Sequence, residues 1–163
     1  IFALQIARAM GARVAITSSS DEKLARAREL GAEFTLNYKT HQDWGKEVMD
    51  WTGGRGVDHV VEVGGPGTLA QSIQAVALGG RITMIGVLTG VSGEVPTAAL
   101  MGKQAVLSGI IVGSRRHQQD FVRALDTGIF RPVIDRVFPL EKLADAFRYE
   151  ESGAHFGKIG IEW

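Results

Sequence analysis

The stretch Arg13–Tyr38, RVAITSSSDEKLARARELGAEFTLNY, decides the architecture. Arg13–Thr17 has the apolar, β-branched composition of a strand. Ser19 is followed three positions later by Glu22, a pair that reads as a capping box opening a helix over Asp21–Leu30. Gly31 is a suitable left-handed stop for that helix, and Phe34–Asn37 reads as a second strand. Strand, helix and strand in immediate succession make a βαβ unit, because parallel strands need a crossover connection and cannot be joined by a tight hairpin.

The same rhythm extends outward in both directions. Before it, Phe2, Ile6 and Ala9 or Met10 recur at helical spacing over Ile1–Met10, with Gly11 as the stop. After it come a helix over about Gln42–Trp51, glycines 53, 54 and 56, a strand His59–Val63, and a helix Thr68–Leu78 ending in Gly79 and Gly80. Arg81–Gly86 and Val106–Val112 are further strands, the latter dense in aliphatics as a strand covered on both faces should be. Gln118–Thr127 is a helix closed by Gly128. Strands joined by helical crossovers predict an α/β fold, a doubly wound parallel sheet of the Rossmann type.

The rhythm changes after Phe130. Val133–Phe138 reads as a strand, a helix starting at Pro139 or Leu140 carries Leu143, Phe147 and Tyr149 or Glu150, and Lys158–Trp163 is extended. A boundary near Pro132 therefore separates residues 1–131 from a strand-helix-strand tail, 132–163.

Composition narrows the function classes. Lys and Arg number 18 against 18 Asp and Glu, so nothing marks a surface charged for nucleic acid or anionic lipid. The absence of cysteine excludes disulfides, thiolate-held zinc, a catalytic thiol and an iron–sulfur cluster in these residues. No apolar run is long enough to span a bilayer, and Ile1–Met10 lacks the features of a signal peptide, so a cytoplasmic location is expected. The 21 glycines follow no collagen-like period and punctuate many short elements.

The order of motifs resembles the nucleotide-binding half of the medium-chain dehydrogenase/reductase superfamily, nearest its zinc-alcohol-dehydrogenase-like and quinone-oxidoreductase-like branches. The resemblance rests on IFALQIARAMGARV at the start, SSSDEKLARARELGAE, Asn37-Tyr38, TGGRGVDHVVEVGGPGTL, LGGRITMIGVL, and the ending that runs from Arg131 to Trp163. It covers nearly the whole chain. Family members place a strand and a Gly-rich turn before the helix that opens this sequence, and both are missing here. That turn brings backbone N–H groups to the cofactor pyrophosphate, and that strand stands at the centre of the sheet, between the strands read at Arg13–Thr17 and His59–Val63. The expectation is a fragment with a split sheet.

By this resemblance the chain is the NAD(P)-binding domain of an oxidoreductase that moves hydride between nicotinamide and an alcohol or aldehyde, or a quinone or enone. The parent would act on a small molecule, these residues alone would be inactive, and the tail would return to the catalytic domain. The alternative is a non-catalytic dimerisation or nucleotide-binding fragment. Val106–Val112 is the expected edge strand, through which a homodimer would form.

The cofactor-binding residues implied are spread over strand ends, outside which ligands lie in such sheets. Ser18, Ser19 and Lys23 stand where an acid would favour NAD, so NADP is preferred, while nearby Asp21 keeps NAD possible. Asn37 and Tyr38 would line the adenine pocket, although a tyrosine half-buried at a strand end explains Tyr38 equally well. Val63, Gly64 and Gly65 would border the cofactor ribose. Gly65-x-Gly67-x-x-Ala70 matches the dinucleotide fingerprint, but no acid stands about 20 positions on, so it reads as a decoy. Gly86, Val87 and Leu88, with Val112 and Gly113, would flank the nicotinamide end through main-chain groups. The four histidines have no metal-ligand spacing, so no metal site is assigned. No catalytic residue is assigned either: in the family, the zinc ligands or proton-relay groups precede this segment.

Overall fold

A computed structural model describes residues 1–163. The elements in chain order are α1 (Phe2–Ala9), β1 (Ala15–Ser18), α2 (Asp21–Glu29), β2 (Phe34–Asn37), α3 (Trp44–Trp51), β3 (Val57–Glu62), α4 (Pro66–Ala75) and β4 (Val76–Met84). They continue with α5 (Thr97–Gly102), β5 (Val106–Gly109), α6 (Arg115–Asp126), β6 (Ile134–Pro139), a short 3-10 turn at Leu140–Lys142, α7 (Leu143–Glu151) and β7 (Lys158–Glu162). The strands form three separate sheets, β1-β2, β3-β4-β5 and β6-β7. No helix is long and apolar enough to cross a membrane.

Two compact units make up the chain. The first comprises Ile1–Ile16, Ser20–Thr35 and Arg115–Trp163. Its core gathers Leu4, Ala27 and Ala32 with Val14, Ile16 and Leu30 packed against them. Phe2 meets Phe121 edge-on at 5.7 Å between ring centres and Phe130 at 6.2 Å. Strands β6 and β7 run parallel, pairing Ile134 with Lys158 and Phe138 with Ile161, with α7 as the crossover. Asp135 accepts hydrogen bonds from the Tyr149 hydroxyl at 2.6 Å and from Arg26 Nη1 at 3.1 Å. The hydrogen bond from Tyr149 is the main reason the Asp135 carboxyl is held below the usual carboxylate range, and the same bond raises the phenol.

The second unit comprises Thr17–Ser19 and Leu36–Ser114. Strand β4 is central, pairing parallel with β3 (Val60 with Ile82) and with β5 (Ile82 with Leu107). Leu69, Ile73, Val76 and Ile82 form its fully buried centre, with Val60, Met84, Leu100, Ala105 and Leu107 around them. Each such aliphatic side chain, once fully buried, contributes roughly 1.5–3 kcal/mol. Because β5 ends the order β3-β4-β5, one of its edges lacks a strand partner.

Several element boundaries differ from those read in the sequence. The helix expected to reach Leu78 stops at Ala75: Val76 is extended, fully buried, and pairs with Val57. The β3–β4 register then shifts before His59 meets Arg81, and Lys103 Nζ donates to the Val76 carbonyl at 2.8 Å. Burial of an aliphatic residue in the sheet here outweighs local helix propensity. The strand expected over Val106–Val112 ends at Gly109. Ile110 N–H still donates to Met84 O at 3.0 Å, but Val112 has φ of 35°, outside any strand conformation. The short helix α5 was not anticipated, lacking both a cap and a long apolar period.

Candidate functional site

In the second unit, two loops leave the carboxyl ends of adjacent parallel strands and are tied together. The first, Val63–Gly65, runs from β3 into α4; the second begins at Ile85, after β4. Ile85 N–H donates to Glu62 O at 2.8 Å and continues the ladder beyond the strand. Thr89 then bridges the loops: its N–H and its hydroxyl both donate to Gly64 O, at 2.7 and 2.8 Å, while its Oγ1 accepts from Gly67 N–H at 2.8 Å. Leu88 N–H reaches Val63 O at 3.4 Å.

The glycines in these loops are required by proximity. Gly65 has φ of 88°, and a β-carbon there would lie 3.0 Å from Val87 Cα. A β-carbon on Gly86 would overlap the carbonyl of Val63.

Beneath the loops lies Glu62, a residue the sequence reading passed over. It is 3% exposed at the end of β3. Its Oε1 accepts from the N–H groups of Gly64 and Gly65 at 2.7 and 3.1 Å and from Thr68 Oγ1 at 2.7 Å; its Oε2 accepts from the hydroxyl of Ser72. A carboxylate at a helix N-terminus is favourably placed, and here it takes the position an external anion would occupy. The signal for it was an acid closing the apolar run VDHVVE before the glycines, since a buried acid must find donors.

This arrangement accounts for the fingerprint-like GGPG turn. The amides of Gly64 and Gly65 are bonded to Glu62 and that of Gly67 to Thr89, while Pro66 has none, so the turn offers no free cluster of donors to a pyrophosphate. Outside it, Val63 and Val87 are about half exposed and Leu88 is 83% exposed. The exposed side is apolar side chain and peptide, a surface suited to a flat ring and not to a phosphate.

The other sequence-derived residues take the following places. Ser18 ends β1 and Ser19 follows it, exposed; the helix α2 is capped by Ser20, whose Oγ accepts from Lys23 N–H at 3.2 Å. The cap expected at Ser19, with Glu22 completing a box, is instead Ser20, which holds the extended conformation next to the first helical turn and has Lys23, not an acid, three positions on. Ser18, Ser19, Asn37, Tyr38, Val63–Gly65, Gly86–Leu88 and Val112–Gly113 all fall within the second unit. Lys23 lies in the first unit, where its ammonium donates to the Gly153 carbonyl.

Strands β1 and β2 keep the same direction: Phe34 N–H donates to Val14 O at 3.2 Å and Tyr38 N–H to Ser18 O at 3.1 Å. Asn37 Oδ1 accepts from Lys39 N–H at 3.0 Å, forming a turn that leaves the Tyr38 ring 39% exposed. Val112 is 95% exposed.

Two of the histidines are engaged locally, His59 Nε2 with Thr83 Oγ1 at 2.9 Å and His41 Nδ1 with Glu47 at 2.7 Å. No three His, Asp or Glu side chains converge as metal ligands would. The perturbed carboxyl of this unit is Asp58, held low chiefly by its hydrogen bond from Arg55, near the amino end of β3 and so at the opposite end of that strand from the loops.

Comparisons with known proteins agree with this architecture. The family model described as zinc-binding dehydrogenase matches residues 1–128. A zinc-type alcohol dehydrogenase-like protein of Schizosaccharomyces pombe is 43% identical over 166 residues, covering 99% of this chain and 48% of that protein. A solved structure from Sinorhizobium meliloti 1021 superposes with a TM-score of 0.91 at 44% identity, covering 99% of this chain and 47% of that one. Another, of an NAD-dependent alcohol dehydrogenase, has a TM-score of 0.87 at 39% identity, again over 99% of this chain and 47% of its own. The chain spans about half the length of the relatives it matches. With a family model covering most of its residues and a fold shared at this identity, the chain belongs to the zinc-binding dehydrogenase family.

Proposed function

We propose that the second unit is the nicotinamide-nucleotide-binding part of an oxidoreductase that moves hydride between NAD(P)H and an alcohol or aldehyde, or a quinone or enone. The observation that carries this reading is the pair of glycine loops at the carboxyl ends of β3 and β4, locked together by Thr89 and presenting Val63, Val87 and Leu88 outward. Ligands of open parallel sheets lie at such strand ends. The cofactor, when bound, supplies the hydride; this chain's residues hold and orient it.

In this reading Ser18 and Ser19 face the adenosine ribose, Asn37 and Tyr38 the adenine, Val63–Gly65 border the cofactor ribose, and Gly86–Leu88 with Val112 and Gly113 flank the nicotinamide end through main-chain groups. The hydroxyls ending β1 favour NADP. The pyrophosphate is anchored elsewhere, since the GGPG amides are occupied. Residues 132–163 form a tail that meets the catalytic domain, and these 163 residues alone turn over no substrate. In this reading the protein works in the cytoplasm.

The test is a titration of NADPH and NADH against the protein, followed by tryptophan fluorescence. NADPH should bind more tightly, and Ser19→Asp should reverse the order by placing an acid at the ribose. Equal affinities, unaltered by that substitution, would exclude the assignment of the β1 end.

A second reading concerns assembly. The free edge of β5, with Val106, Ile110 and Ile111 exposed beside it, favours a homodimer formed by continuing the sheet across a two-fold axis.

A further inference from the structure

Glu62 sits where a carboxylate is least favoured, almost wholly buried and flanked along its strand by apolar residues. Four donors compensate it, and they fall into two sets. Ser72, on the body of α4, holds Oε2. Gly64 N–H, Gly65 N–H and Thr68 Oγ1 hold Oε1, and the two amides are those of the loop that leaves β3.

The second loop is attached to the first through a group Glu62 fixes. Gly64, whose amide donates to Glu62, offers its carbonyl to both the N–H and the hydroxyl of Thr89, and Thr89 in turn receives Gly67 N–H. Displacing Gly64 therefore moves Thr89, and with it Val87 and Leu88. Capping α4 alone would require one polar side chain of ordinary kind. A side chain that gathers three loop and helix donors on one oxygen does more: it fixes both loop peptides and the helix to one point.

We propose that Glu62 is a positioning residue for dinucleotide binding, setting Val63–Gly65 directly and Gly86–Leu88 through Thr89 without touching the nucleotide. The inference rests on the nucleotide-binding reading above, and it adds a chain of command within that site.

The test measures NADPH affinity by fluorescence titration, and thermal unfolding in parallel, in the full-length protein carrying Glu62→Ala, Glu62→Gln, Thr89→Val or Ile73→Val. Glu62→Ala and Thr89→Val should each weaken NADPH binding about tenfold, the scale of one well-made buried hydrogen bond. Their combination should be no weaker than the weaker single variant, because both break one series of bonds. Glu62→Gln should stay within about threefold of the wild type, since its carbonyl can still accept from Gly64, Gly65 and Thr68 while its amide donates to Ser72. Ile73→Val, in the buried core of the same helix and outside the series, should unfold at lower temperature with unchanged affinity.

Wild-type affinity in folded Glu62→Ala and Thr89→Val would overturn the proposal, as would an affinity loss in Ile73→Val that tracks its lost stability. If Glu62→Ala does not fold, Thr89→Val, at the exposed end of the series, decides. A wild-type protein that does not bind NADPH would instead remove the nucleotide reading itself.

Discussion

Gly86 stands so close to Val63 that a β-carbon at position 86 would overlap the Val63 carbonyl oxygen. This approach joins the ends of β3 and β4 peptide to peptide. Gly86→Ala should therefore destabilise the protein by about 1–3 kcal/mol, the range for forcing an extra carbon into a packed site. A lowered unfolding temperature together with weakened NADPH binding is the expected result; wild-type stability would show that the two loops can separate.

Asp135 and Tyr149 give a pH signature. The folded Asp135 carboxyl is held below its ordinary 3.8, first by the Tyr149 hydroxyl and then by Arg26, so the unfolded chain takes up that proton at higher pH than the folded one. Stability from this contact is complete above about pH 3.8 and is lost as pH falls through the lower folded value. Tyr149 is raised above its ordinary 10.0, chiefly by the same bond, so stability is again lost as pH climbs from there through the folded value. The gap in unfolding temperature between wild type and Tyr149→Phe should be widest near neutrality and narrow toward both extremes. A gap independent of pH would mean that the hydrogen bond is not its source.

Val112 adopts a left-handed φ of 35° that a β-branched side chain resists, and its side chain is 95% exposed. Replacing it by glycine removes strain and little packing. Val112→Gly should raise stability by about 1 kcal/mol, read as an increase in the denaturant midpoint at constant slope. A loss of stability would show that Val112 makes contacts that compensate its backbone.

Ser19 and Ser20 separate by function in the same turn. Ser20→Ala removes the cap of α2 and should cost about 1 kcal/mol, whereas Ser19→Ala should leave stability unchanged. Equal losses at the two positions would restore the pattern read from Ser19 and Glu22.

The free edge of β5 predicts an oligomer that one charge can dissolve. Ile111, 85% exposed just beyond the strand, makes no ladder bond, so Ile111→Asp should leave the fold intact while halving the mass measured by light scattering. A wild-type monomer at high micromolar concentration, or an undisturbed dimer in the variant, would place the interface elsewhere.

Sequence reading succeeded best where residues act on their own neighbourhood. The helix α2 and strand β2 were legible because apolar spacing records which face an element buries, and Gly31 marks where the helix turns out. Legibility fell where a long-range contact overrode a local preference. Val76 has helix-compatible neighbours on one side, but Val57 pairs with it as a strand. The site divides along the same line. The loop glycines could be singled out by type and position, whereas Glu62, Thr68, Ser72 and Thr89 could not be joined into one network before the chain folded.

The sequence by itself determined the alternation of strands and helices, the parallel connection and the glycine-marked strand ends, since these follow from periodicity and backbone conformational limits that each residue carries with it. The tertiary structure alone decided which polar groups meet. Lys23 finds the carbonyl of Gly153, 130 positions away, and the donors of the GGPG turn close on Glu62 and Thr89. A hydrogen bond depends on where both partners are brought in space, and a buried donor or acceptor takes the partner that folding places within reach.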